Sequence, residues 1–136
     1  MKKILISLLL IFSTVASGES KLQVNWFHDY DEALKVAKEK DKNIYLYISA
    51  NTCPLCKKFK AKTLSRKCVK ARLKDDFIAL NLERNTNFVP EKFEKFGAPR
   101  HYFLDKNGKI LFEINGVFEP KSFMEILDDI EMYEED

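Results

Sequence analysis

The sequence is short of chain-breaking residues and of thiol and imidazole groups. Among 136 residues there are only four glycines, four prolines, three cysteines and two histidines. So little glycine and proline leaves no linker, and no internal repeat or low-complexity stretch is present. Excess charge of one sign is also missing. Without Lys2 and Lys3 in the leader described below, 21 basic residues face 21 acidic ones, so the charge balance offers no ground for a nucleic-acid partner. No apolar run reaches the roughly 20 residues that span a bilayer. What the chain does have is aromatic: eleven Phe and five Tyr in a sequence that is 46% hydrophobic. That content excludes disorder and suffices for the single core of one domain.

Residues 1–18 read as a cleaved secretory signal. Lys2 and Lys3 precede the apolar run from Ile4 to Phe12, and small residues follow through Ser13-Thr14-Val15-Ala16-Ser17-Gly18. Cleavage is expected after Ala16 to Gly18, which leaves one domain over 19–136 without a stable membrane anchor. No cysteine follows the apolar run, so a lipid anchor is not indicated. A periplasmic or secreted location is expected, where paired cysteines can stay oxidised.

The mature chain predicts a short strand at Leu22 to Trp26 and a helix capped by Asp29 or Asp31 that runs to about Lys40. The run Ile44 to Ile48 is apolar without alternation, as in a central strand covered on both faces. A helix is expected from the cysteine pair to about Leu64, and another from Arg66 to Lys74 with Val69 and Leu73 four apart. Phe77 to Leu82 is the next strand. Pro90 opens a short helix, Glu91 to Phe96, that Gly97 ends. Arg100 to Leu104 and Lys109 to Ile114 form a hairpin over Asn107-Gly108, where positive backbone angles are needed. Pro120 to Met132 closes the chain, with Phe123, Leu127 and Ile130 on one face. The order predicts an α/β fold: a central mixed sheet with helices on both faces.

Chemistry concentrates at Cys53-Pro54-Leu55-Cys56, between the Ile44 to Ile48 strand and a basic helix. A thiol reacts as its thiolate, and a helix start lowers a thiol's pKa through unpaired N–H groups and the dipole. Cys53 has that position. Pro54 fits the first helical turn, where a missing N–H costs nothing. Lys57 adds positive charge, and Cys56 lies one turn along. The same two thiols can also form a structural disulfide or half of a metal site. A zinc site needs two further ligands, and only Cys68, His28 and His101 are on offer, none at a close paired spacing.

This stretch resembles the thioredoxin superfamily, and within it the exported thioredoxin-like thiol–disulfide oxidoreductases. The resemblance rests on Trp26 before the Ala33/Ala37 helix, the strand leading into Cys53-Pro54-Leu55-Cys56-Lys57, and Gly97-Ala98-Pro99 ahead of Tyr102 to Asp105 and Asn107-Gly108-Lys109. It covers nearly all of the mature chain. It implies a thioredoxin-like fold, Cys53 as nucleophile, Cys56 as resolving thiol and a cis-proline at Pro99. It also implies a substrate chain paired at Ala98, with Pro54, Leu55 and Lys57 in support. Protein thiols or disulfides would be the substrates, an upstream redox protein the second partner, and no cofactor or metal is called for. Reduction is the favoured direction by analogy with small exported relatives. A metal-binding accessory protein and a non-catalytic binding module remain the alternatives.

Three positions depart from thioredoxin itself. Thr52 replaces the aromatic residue before the first cysteine, Pro54-Leu55 replaces Gly-Pro, and Tyr47 stands where a buried acid serves the resolving thiol. Cys68, four after Leu64, is expected on the apolar side of its helix as a small hydrophobe. His101, two after Pro99, is expected to be an ordinary strand residue or to tune Cys53. His28, Trp26, Phe88, Phe93 and Phe96 are expected to be structural, with any exposed Phe facing substrate.

Overall fold

The computed structural model describes residues 22–133. The expected signal at 1–18 and residues 134–136 lie outside the described residues. Helix α1 (Tyr30–Lys40) starts at Asp29, whose carboxylate accepts the Glu32 N–H at 2.8 Å. Asp31 and Glu32 in its first turn and Lys38 and Lys40 in its last complement the helix dipole. Asp41, in left-handed backbone, turns the chain into strand β1 (Asn43–Ser49), all seven residues of which are buried. Strand β2 (Phe77–Glu83) pairs with β1 in parallel. On the other side β3 (Arg100–Leu104) pairs with it antiparallel, and β4 (Ile110–Asn115) follows β3. The sheet order is β2-β1-β3-β4.

Alternation along these strands divides the apolar residues between two faces. On one, Tyr45, Tyr47, Phe77 and Phe103 meet Phe59 of α2 (Pro54–Phe59), Val69 and Leu73 of α3 (Lys67–Asp76), and Phe123, Leu127 and Ile130 of α4 (Pro120–Met132). On the other, Ile44, Leu46, Ile48, Leu80 and Tyr102 meet Ala33 and Ala37 of α1 together with Phe93. The small alanines let α1 lie close to the sheet. The mixed sheet with helices on both faces is the architecture the sequence predicts. Arg72 of α3 adds a polar tie to α4, pairing with Asp128 and Glu131 as well as with Asp76. Among the described residues, no helix is long and apolar enough to cross a membrane.

Several local expectations are corrected. Leu22 to Trp26 is not a strand; the lead-in pairs with the sheet through an isolated bridge between Phe27 and Leu80. The Glu91 to Phe96 helix is a single 3-10 turn, Glu91–Phe93, and Pro90 precedes that turn. The carbonyls of Lys95 and Phe96 accept from the Arg84 and Arg100 guanidiniums, which fixes this segment outside a helix. In the hairpin only Gly108 takes a positive φ, 85°, because the Asp105 carboxylate accepts the Asn107 and Lys109 N–H groups. A Cβ at Gly108 would collide with the Tyr30 hydroxyl.

Cys68 is exposed rather than buried. Counting four from Leu64 assumes one uninterrupted helix. Instead α2 passes into a π-helical turn, Lys60–Leu64, and α3 starts afresh at Lys67. The new phase points Val69 and Leu73 inward and leaves Cys68 outside.

The division between inner and outer aromatics can be measured. Phe123 is fully buried and Phe96 fully exposed. Phe123→Ala is expected to lose about 3–5 kcal/mol in urea unfolding, while Phe96→Ala should stay within about 0.5 kcal/mol of the parent. Equal losses would contradict the packing described.

Candidate active site

Strand β1 ends at Ser49, and after three intervening residues Cys53 caps α2 in extended backbone (φ −117°, ψ 99°). Its Sγ accepts the Cys56 N–H at 3.1 Å, and Pro54 occupies the first turn. Cys53 and Cys56 are joined as a disulfide with Cα atoms 5.2 Å apart. Both are nearly buried, Cys53 9% exposed and Cys56 5%, whereas Leu55 between them is 52% exposed. Lys57 and Lys58 face solvent. The local sequence explains the arrangement: a sulfur that can accept, a proline that needs no partner, then N–H groups directed back at the sulfur.

Tyr47, at the position of the expected acid, donates its hydroxyl to the Cys56 carbonyl at 3.1 Å. Burial pushes its pKa up to about 12, so it holds α2 onto the sheet as a donor and takes no proton at neutral pH. Trp26 packs its ring against Tyr45 and Tyr47. Beside these groups lies a cleft of about 510 Å³, lined by Cys56, Tyr47, Trp26, His28, Ser49, Asn81 and Glu83, with Lys57, Lys60 and Lys70 at its borders.

Outside this cleft, the loop before β3 approaches the end of β1 from the other neighbouring strand. Ile48 pairs with Arg100, which brings Pro99 to the level of Ser49. The Ala98–Pro99 peptide is cis, and Ala98 packs on the apolar cluster that contains both cysteines. Arg84 holds this loop from the end of β2, donating to the Gly97 carbonyl at 2.6 Å and to the Lys95 carbonyl; Arg100 donates to the Phe96 carbonyl at 3.1 Å. Sequence reasoning missed Arg84, because an arginine after an apolar strand carries no signal of what it will clamp. Of the three phenylalanines expected to be structural, Phe93 is buried. Phe88 and Phe96 are exposed and line a groove of about 590 Å³ with Arg84 and Lys95.

His101 lies in β3 as expected, but both its ring nitrogens are engaged away from Cys53. It is fully buried beneath α2, its ring 4.7 Å from that of Phe59 and stacked near Tyr45 and Tyr47. Nε2 lies 2.8 Å from the Gly116 carbonyl and Nδ1 lies 2.7 Å from the Tyr45 hydroxyl. A carbonyl only accepts, so Nε2 carries the proton and Tyr45 donates to Nδ1. Desolvation by burial lowers the His101 pKa to about 4, against a smaller upward pull from the Gly116 carbonyl. His28 turns Nδ1 to the Asn81 carbonyl at 3.0 Å. Among the described residues, no group of three or more His, Cys, Asp or Glu side chains converges as a metal site would require.

The His101 shift has a stability consequence with a definite sign. Between pH 6.5 and about 4 the unfolded imidazole binds a proton that the folded ring refuses. This contribution is therefore complete above pH 6.5 and is lost as the pH falls to about 4. The loss is on the order of 3 kcal/mol. Urea midpoints across that window should fall more steeply for the parent than for His101→Gln; parallel curves would refute the assignment.

Comparison with known proteins agrees with this geometry. The model of the thioredoxin-like domain family matches residues 30–131. A thioredoxin from Thermus thermophilus superposes with a TM-score of 0.68 at 21% identity, over 79% of this chain and 87% of that one. The DsbH oxidoreductase gives 0.65 at 20% identity, over 79% and 83%. The oxidised C-terminal domain of DsbD from Neisseria meningitidis gives 0.63 at 21%, over 77% and 98%. These likenesses are of fold. No curated protein sequence gives a significant match. The family match runs from α1 into α4 and encloses both the cysteine pair and the Ala98–Pro99 loop, so the chain belongs to the thioredoxin-like domain family.

Proposed function

We propose that this thioredoxin-like thiol–disulfide oxidoreductase works outside the cytosol, periplasmic or secreted, and exchanges disulfides with protein substrates, mainly as a reductase. Cys53 is the nucleophile and Cys56 the resolving thiol. The observation that carries the assignment is the Cys56 N–H directed at Cys53 Sγ at the start of α2. In the dithiol form that N–H and the helix field favour the thiolate on Cys53. Exposed Lys57 adds positive potential, and Pro54 holds the turn that aims the donor.

The Cys53 thiolate attacks a substrate disulfide, forms a mixed disulfide and releases one substrate thiolate. Cys56 then attacks Cys53 Sγ, and the second substrate sulfur departs with the bonding pair. The enzyme is left oxidised, as in the structure, and an upstream redox protein returns it to the dithiol. Ala98 and Pro99 are the place where the substrate backbone pairs, and exposed Leu55 between the cysteines is open to contact with it. Export is supported by the leader at 1–18, and the reductive direction by analogy with small exported relatives.

Cys56→Ser should accumulate mixed disulfides with substrate proteins on non-reducing gels, and Cys53→Ser should accumulate none. If Cys56→Ser traps nothing and the pair never cycles in the cell, catalysis is excluded. Direction is read from the reduction potential of the pair. A reductase should lie nearer the roughly −270 mV of thioredoxin than the roughly −120 mV of a strong oxidant; a value at the oxidising end would reverse it.

A further inference from the structure

The sheet face beneath α2 and α4 is aromatic over most of its area, but at the ends of β1 and β2 it turns polar. Alternation puts Tyr47 and Ser49 on this face. The register sets Asn81 opposite Tyr47 and Glu83 opposite Ser49. The Asn81 amide donates to the Tyr47 carbonyl at 2.9 Å and to the Ser49 hydroxyl at 3.1 Å. This polar floor belongs to the 510 Å³ cleft that Cys56 lines, a volume that admits several waters with polar groups to hold them.

Cys56 must lose a proton to resolve a mixed disulfide, and at 5% exposed it reaches little bulk water directly. Tyr47, bonded to its carbonyl, is a donor only at neutral pH. Along the cleft the remaining titratable groups are His28, Glu83, Lys57, Lys60 and Lys70. Ammonium groups donate and do not accept. The Glu83 carboxylate already accepts from the Thr86 hydroxyl at 3.3 Å, which leaves the His28 imidazole as the other accepting side chain on the cleft. Its Nδ1 faces the Asn81 carbonyl, so Nδ1 carries the hydrogen and Nε2 is the accepting nitrogen of the neutral ring.

We infer that His28 accepts the Cys56 proton through water in this cleft, in place of a buried acid. The inference rests on Cys56 being the resolving thiol. The proton passes from Cys56 Sγ to Nε2 as the sulfur attacks Cys53. The Cys53–substrate bond breaks, and the departing substrate thiolate takes a proton from the imidazolium or from water. One disulfide forms and one is lost.

Excess Ellman's reagent in a stopped flow separates the steps on reduced, full-length protein carrying Cys68→Ser, which removes the exposed third thiol. The first thionitrobenzoate marks attack by Cys53 and the second marks resolution by Cys56. His28→Gln should slow the second phase about tenfold or more at neutral pH, and should flatten its acid limb over the imidazole range, about pH 5 to 8. The first phase should be unchanged, which also shows that the fold is intact; a Gln amide can still donate to the Asn81 carbonyl. Glu83→Gln should keep the limb. An unaltered second phase in His28→Gln, or loss of the limb in Glu83→Gln instead, overturns the inference. Cys56→Ser must abolish the second phase; if it does not, the assignment of the resolving thiol fails instead.

Discussion

Strand β1 is paired along both edges and buried on both faces, and the site follows from that constraint. A strand held on four sides has no freedom in register, so the point where it ends is fixed with respect to β2 and β3. From that end the chain must rise out of the sheet, and the three residues after Ser49 carry it to Cys53. The same register brings Pro99 level with Ser49 from the neighbouring strand. Backbone pairing thus sets the level of the loop before β3 against the end of β1, and the Arg84 and Arg100 guanidiniums hold it there. The parallel β1–β2 pair demands a crossover, and α2, the π-helical turn and α3 together are that crossover.

The aromatic face solves a different problem. It must bury an imidazole, and it does so by giving each ring nitrogen one partner of the right kind. A donor, Tyr45, meets Nδ1, and an acceptor, the Gly116 carbonyl, meets Nε2. Satisfied in this way, a buried polar group fixes a single packing arrangement. His101 lies against Phe59 of α2, Phe118 before α4, and Phe123 of α4. One ring therefore orients the helix that carries the cysteines relative to the helix that covers the sheet.

The sequence made the fold legible wherever periodicity and punctuation agreed. The apolar run of β1, the Asp29 cap, the Gly108 turn and the Pro120 start each have a local cause, and each lies where that cause predicts. The cysteine pair was legible for the same reason, since a thiol cap followed by proline is a local pattern. The failures are places where something outside the simple periodic pattern decided the outcome. Cys68 depends on the helical phase, and the π-helical turn resets it. The segment after Pro90 is shaped by guanidiniums of Arg84 and Arg100 that take its carbonyls. His101 lies in β3 as expected, but its buried network was hidden because nothing near it in sequence announces Tyr45 or Gly116. Tyr47 was read correctly as a missing acid, but its bond to the Cys56 carbonyl needed the fold to appear.

The Arg84 clamp separates the shape of the groove from its electron count. Its bonds to the Gly97 and Lys95 carbonyls touch neither sulfur. Under the proposed function, the loop that would meet substrate is therefore anchored to the end of β2 by contacts in which the redox pair takes no part.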